Sequence, residues 1–252
     1  GASVEEPQGF FGVYDGHCGS EAVQFVRDRL HSTVREHASF WNEPERAIRE
    51  AFLSTDEEFL ALADEKDWYS GTTVLVALMR ARKLLVGNLG DCEAVLCRRG
   101  KVVHMSPVHN PAPMTDWTVC LQELFVRQLK QMDLDDPEIR MVATDQVKWT
   151  TITRVCGELA VSRSIGDRDF KGFTKRRIQQ GTEAVAPQEA ALFSWPKGHS
   201  GQFRDDLLTS EPEIVEIDIE DADQFLLMAC DGLWDVLGKA EAVERAKSMF
   251  AE

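Results

Sequence analysis

Hydrophobic spacing along the chain changes period once near the start and again near the end. Gly9 to Tyr14 forms a compact apolar run that predicts a short buried strand, followed by a loop over Asp15-Gly16-His17-Cys18-Gly19. Ser20 sits where a helix N-cap belongs, and Val23, Val26, Leu30 and Val34 then recur at three- and four-residue spacing on one helix face. A second helix is expected after Asn42, with Pro44 in its first turn and Ala47, Ala51, Phe52, Phe59 and Leu62 as its stripe. Beyond it the pattern shortens. Thr72 to Leu78, Lys83 to Asn88, Glu93 to Cys97 and Lys101 to Met105 are rich in Val and Leu and joined by connections of hairpin length. They predict an antiparallel meander, and strands so continuously apolar need cover on both faces, helices on one and a second sheet on the other.

The second half is less regular. Val119 to Met132 has helical spacing, but Pro111, Pro113 and Pro137 interrupt its surroundings, and residues 111–150 read as divergent or inserted. Residues 180–210 carry Gly, Pro, Gln and Ser without periodicity and are expected to form a loop or flap. Glu213 to Ile219 alternates as an edge strand does, inside an acidic run from Asp205 to Asp223 that contains no base. Phe225 to Cys230 predicts a buried strand, and the chain turns helical from Leu233.

Composition narrows the function. Forty-three acidic residues against 28 basic ones give a formal net charge of -15 across 252 residues, which disfavours nucleic-acid binding and leaves room for carboxylates that hold hard cations. No run of apolar residues is long enough to span a membrane, and no signal-peptide pattern opens the chain. Six cysteines without a CxxC pair read as reduced thiols, an intracellular expectation, cytoplasmic or nuclear.

Three Asp residues share one setting, each beside a Gly where an apolar strand ends: Asp15 in Val13-Tyr14-Asp15-Gly16-His17, Asp167 in Ser164-Ile165-Gly166-Asp167, and Asp231 in Ala229-Cys230-Asp231-Gly232. A carboxylate at a strand end is rigidly aimed, and divalent ions such as Mg²⁺ take oxygen donors of this kind. Taken singly each is a turn residue; three in the same setting point to a metal site.

With Ser70-Gly71-Thr72-Thr73, Val86-Gly87-Asn88-Leu89-Gly90-Asp91, Gly157 to Asp167, Glu211-Pro212-Glu213 and Phe225 to Val236, these blocks occur in the order and rough spacing of one family. The chain resembles the metal-dependent Ser/Thr protein phosphatases of the PP2C (PPM) type. The resemblance implies an α+β fold, a four-layer αββα sandwich of two antiparallel sheets with helices outside. It implies two Mn²⁺ or Mg²⁺ ions bridged by Asp15, with the Gly16 carbonyl, Asp167 and Asp231 as further ligands. A water between the metals is then the nucleophile and His17 the general acid. Phosphorylated proteins are the expected substrates and a monomer the expected state.

The sequence departs from the family pattern in several places. The upstream Glu-Asp pair and phosphate-binding Arg, and a closing Asp-Asn block, have no counterpart here, so residues 1–252 read as one phosphatase domain incomplete at both ends. Val108 stands where the family has an Asp associated with a third metal, and Cys18 replaces a usual Gly beside His17. These departures motivate the alternative reading, a PP2C-like pseudophosphatase acting as a binding scaffold. Within the scaffold, Asp91 is expected in a turn, Arg163 in a pair with local carboxylates, Trp234 and Phe225 in the core. Lys171, Lys175, Arg176 and Arg177 are expected on a solvated flap.

Overall fold

The computed structural model describes residues 8–111, 154–156, 158–188 and 201–250. Strand β1 (Gln8–His17) is followed by helices α1 (Glu21–Glu36) and α2 (Pro44–Lys66), then by β2 (Gly71–Arg80), β3 (Lys83–Leu89), β4 (Glu93–Arg98) and β5 (Lys101–His104). The short β6 (Ile165–Gly166), a 3-10 turn (Arg168–Phe170) and α3 (Phe173–Gln180) come next, and β7 (Glu213–Asp218), β8 (Asp223–Ala229), α4 (Asp231–Trp234) and α5 (Lys239–Phe250) complete the order.

Two antiparallel sheets result. One is five-stranded, in the order β1-β2-β3-β7 with β6 alongside β2; the other is three-stranded, β5-β4-β8. The alternation in β2 explains how they stack. Val74, Val76 and Leu78 join Val26, Leu30, Ala51, Phe52 and Phe59 of α1 and α2 in one apolar cluster. Leu75 and Ala77, on the opposite face, meet Ala94, Leu96 and Met105 of the second sheet. Val95 and Cys97 then pack outward against Val243 of α5. The layers run helix, sheet, sheet, helix, the expected αββα sandwich. Each fully buried Val or Leu contributes roughly 1.5–3 kcal/mol, so β2, buried from Gly71 to Leu78, is the axis of the core.

The expected meander is corrected. β2 pairs with β3 and β4 with β5, but β3 and β4 belong to different sheets. Gly90, at φ +111°, turns the chain out of the first sheet, and a Cβ there would lie 2.6 Å from Cβ of Thr73. The Asn88 amide fastens the turn by donating to the carbonyls of Gly90 and Pro107 at 3.2 and 2.6 Å. A connection of hairpin length is here a crossing between layers.

Three further readings change. β1 continues through Asp15-Gly16-His17, whose register partners are Thr73, Thr72 and Gly71, so only Cys18 to Ser20 remain as loop. β8 is half-buried rather than buried, because it forms an edge of its sheet among the described residues. The C-terminal helix is two helices, with residues 235–238 between α4 and α5. Among the described residues β7 is the edge strand its alternation predicted. Residues 119–132, and the rest of 112–153, lie outside the described residues. Of the 180–210 flap, the described part is irregular and clasped by a Val185–Phe203 bridge over the cluster of Phe173, Phe203 and Leu207.

Candidate active site

The site lies where the two sheets come together at one end. β1 brings Asp15 from the first sheet. The end of β8 brings Cys230 and Asp231 from the second, with Cys230 at the N-cap of α4. One donor atom from each of Asp15, Cys230 and Asp231 falls within 4.8 Å of the others. Pairing with β2 on one side and the start of α4 on the other fix these side chains from separate layers.

The charges in this corner are poorly compensated. Burial pushes the Asp15 carboxyl above its ordinary range, and the Asp231 charge and a hydrogen bond to Asp231 push the same way, with His17 pulling down. Asp91, which follows the Gly90 crossing, is pushed up to about 6 by burial first and then by the charges of Asp231 and Asp15, against a backbone hydrogen bond and His17. Carboxylates crowded together favour either protonation or a cation between them. The donors are two hard carboxylates and one thiol, and they fit a divalent ion.

The second cluster is neutralised from within. His17 Nε2 lies 2.8 and 2.9 Å from the two carboxylate oxygens of Asp167, and Ser164 Oγ donates to the same carboxylate at 2.5 Å. Burial works against a charged His17, but the Asp167 hydrogen bond and the charges of Asp167, Asp15 and Asp91 outweigh it and raise its pKa. Asp167 is only 3% exposed and adopts a left-handed φ of +54°, uncommon for a residue with a side chain. Its N–H donates to the Ser70 carbonyl at 3.2 Å. Gly71 makes this approach possible: a Cβ there would collide with both the Asp167 carboxylate and His17 Nε2. Ser70 also serves α1, its hydroxyl accepting the Ala22 N–H at 3.1 Å, whereas Ser20, at the expected cap, makes no side-chain cap bond.

A buried ion pair braces the loop that carries Asp167. Lys171 Nζ donates to both oxygens of Asp56 at 2.8 Å and to the Ser164 carbonyl at 2.9 Å, and Asp56 accepts the Gly166 N–H at 2.8 Å. Asp56 and Lys171 are 4% and 6% exposed. Lys171 is thereby removed from the solvated basic cluster the sequence predicted, and its three bonds offset the desolvation of its buried ammonium. Arg163 makes the expected pair, with Glu213 at 2.8 Å, and bonds the Glu211 carbonyl as well. Val108 is exposed beyond β5, and Trp234 and Phe225 are half-buried against the outer core.

Comparison with known proteins places this geometry. The family described as Protein phosphatase 2C matches residues 2–114 and 139–252. The chain belongs to the protein phosphatase 2C family. Among curated relatives, probable protein phosphatase 2C 57 of Oryza sativa subsp. japonica is 32% identical over 247 residues, covering 98% of this chain and 54% of the relative. Probable protein phosphatase 2C 27 of Arabidopsis thaliana is 34% identical over 240 residues, covering 94% and 49%. The chain thus spans about half the length of these relatives. In fold it is similar to a C. elegans sex determining protein, with a TM-score of 0.59 at 20% identity, covering 95% of this chain and 47% of that one. A serine-threonine phosphatase 2C from Toxoplasma gondii gives a TM-score of 0.56 at 17% identity, covering 96% and 73%.

Within this chain, the structure brings Asp15 and Asp231 together and places Asp167 against His17. Gly16 lies in β1 between Asp15 and His17, opposite Thr72, where an added Cβ would press on Val23 at 3.0 Å. Sequence reasoning passed over Cys230, Ser164 and the Asp56–Lys171 pair. Asp56 did leave a signal, an acid inside the apolar stripe of α2 between Phe52 and Phe59. Ser164 left none, since nothing in its spacing marks a hydroxyl aimed at a carboxylate three residues on.

Proposed function

We propose that this protein is a divalent-metal-dependent phosphatase acting on phosphoserine and phosphothreonine in proteins, with Mn²⁺ or Mg²⁺ as its ion. The observation that carries this reading is the convergence of the Asp15 and Asp231 carboxylates, from β1 of one sheet and the turn after β8 of the other, without a Lys or Arg acting on Asp15 among the described residues. Asp15 and Asp231 would hold the ion, with the Gly16 carbonyl as a further donor. When bound, the ion supplies positive charge to the phosphoryl oxygens and acidifies water. Asp167, held against His17 and Ser164, would be a further oxygen donor at this end of the site.

His17 is the group placed to protonate the leaving oxygen. Its Nε2 is committed to Asp167, so the proton it passes on is the one at Nδ1. Asp167 orients the ring and raises its proton affinity, which favours the acid form. Gly71 leaves room for that pairing, and the Asp56–Lys171 brace holds the loop in place. The reading is tested with p-nitrophenyl phosphate and a phosphothreonine peptide, with Mn²⁺, with and without chelator. Chelator-sensitive release of phosphate by the full-length protein supports it. A folded full-length protein with no turnover at any metal concentration would favour the binding scaffold, the reading that Val108 in place of an Asp motivates.

A further inference from the structure

His109 takes no part in the chemistry above, yet it joins two segments that deliver acids to this end of the molecule. It follows β5 and is 6% exposed. Its Nδ1 accepts the Gly90 N–H at 3.1 Å, and its own N–H donates to the Gly90 carbonyl at 2.9 Å. Its carbonyl accepts both the N–H and the hydroxyl of Ser162, at 2.9 and 3.1 Å. Gly90 is the crossing turn that leads directly into Asp91, and Ser162 lies two residues before Ser164, which holds the Asp167 carboxylate. The turn also rests on this second segment, since a Cβ at Gly90 would come 3.4 Å from the Arg163 carbonyl oxygen. One buried residue thus ties the crossing to the loop.

We propose that His109, with its ring proton on Nε2, is a positioning residue for the phosphatase reaction: it locks the turn that presents Asp91 to the segment that presents Asp167. The inference rests on the phosphatase reading of the site. The tautomer follows from the partners. The Gly90 N–H can donate only to a bare Nδ1, so the proton of the neutral ring belongs on Nε2, which lies 3.3 Å from a Glu213 oxygen. Glu213 of β7 and Arg163, itself bonded to Glu213 at 2.8 Å, are the charged groups that face the ring among the described residues. Burial first and the Arg163 charge next hold the imidazole below its ordinary range, against Glu213, which favours the neutral form the turn needs. An apolar ring in its place would leave the Gly90 N–H buried without its acceptor, and a turn that shifts to find another carries Asp91 away from Asp167. A misplacement of about 1 Å is enough to cost about 10²-fold in rate.

The test compares two variants of the full-length protein on a phosphothreonine peptide with Mn²⁺, beside the midpoint of denaturant unfolding. His109→Phe keeps a ring and removes the acceptor. His109→Asn gives up the ring but leaves an oxygen where Nδ1 stood. Both should lose stability. Only His109→Phe should lose turnover, with kcat down at least about 10-fold, the scale of losing an outer-shell partner, and KM nearly unchanged. His109→Asn should keep most of the wild-type kcat, a rescue that packing alone would not produce. A kcat loss in His109→Asn as large as in His109→Phe, or a folded His109→Phe with wild-type kcat, overturns the proposal and leaves the phosphatase reading standing. A folded wild type without turnover at any metal concentration overturns both. Should either variant fail to fold, the nitrogen chemical shifts of the wild-type histidines decide: a bare Nδ1 on His109 at pH 7 supports the proposal, and a proton there overturns it.

Discussion

The Asp15–Asp231 pair and the single Asp167 carboxylate meet residues of the same strand end, Asp15 to His17, and the fold treats them oppositely. Asp167 is buried, but His17 and Ser164 meet its charge, and a strained backbone turn is maintained to bring it there. Among the described residues Asp15 and Asp231 have no such partners, and the one cationic influence on Asp15 and Asp91 is His17. Crowding carboxylates costs free energy that an internal partner would remove. Among the described residues the protein supplies that partner for Asp167 and shows none for Asp15 and Asp231, the contrast on which the proposed cation site rests. The difference teaches that what meets a carboxylate, rather than the presence of an acid as such, distinguishes the two settings.

The comparison can be broken most severely at His17. Replacing His17 with Ala should lower turnover of a phosphothreonine peptide by about 10²–10⁴-fold, the range for a lost general acid. p-Nitrophenyl phosphate, whose leaving group needs little protonation, should be much less affected. Equal losses on both substrates would deny His17 that role. Asp231→Asn should reduce kcat by about 10²–10³-fold, the scale of losing one group that supports developing charge.

The Asp167 side breaks through its brace. Lys171→Met leaves the buried Asp56 without its counter-charge and should cost about 3–5 kcal/mol, read as a lowered midpoint of denaturant unfolding. Gly71→Ala crowds the His17–Asp167 contact and should cost about 1–3 kcal/mol, with loss of peptide turnover exceeding loss of stability.

The smallest effect sharpens the contrast. A carboxyl whose pKa is raised by folding binds protons more tightly in the native state, so stability falls as pH rises from its unfolded value through its native one. For Asp91 that window runs from about 4 to about 6, and Asp15 shifts in the same direction. His17, also raised, stabilises below its unfolded value of 6.5 and loses that contribution as pH rises through its native one. Metal-free protein should therefore melt at lower temperature at pH 7 than at pH 5, by a few degrees at about 2–4 °C per kcal/mol, and Mn²⁺ should reverse the loss at pH 7. A melting temperature that rises over this interval without metal would count against the electrostatic account.

Much of this was legible in the sequence because period and burial coincide. The stripes of α1 and α2 and the unbroken apolar run of β2 state which faces must be covered, and the Asp-Gly blocks at strand ends named Asp15, Asp167 and Asp231. The division of β3 and β4 between sheets was not legible, because a three-residue connection looks the same whether it closes a hairpin or crosses layers. What decides it is the positive φ of Gly90 and the Asn88 amide that locks the turn. The burial of Lys171 was hidden for a similar reason. Its partner Asp56 is 115 residues away, and a cation beside Lys175, Arg176 and Arg177 looks like one more surface charge.

The central claim is that Asp15 and Asp231 form the place for a divalent ion. Calorimetric titration of Mn²⁺ into metal-stripped wild type and Asp231→Asn at pH 7 tests it most directly. The account predicts saturable binding by the wild type that Asp231→Asn weakens by at least about 10-fold. Equal affinity in the two folded proteins would contradict it.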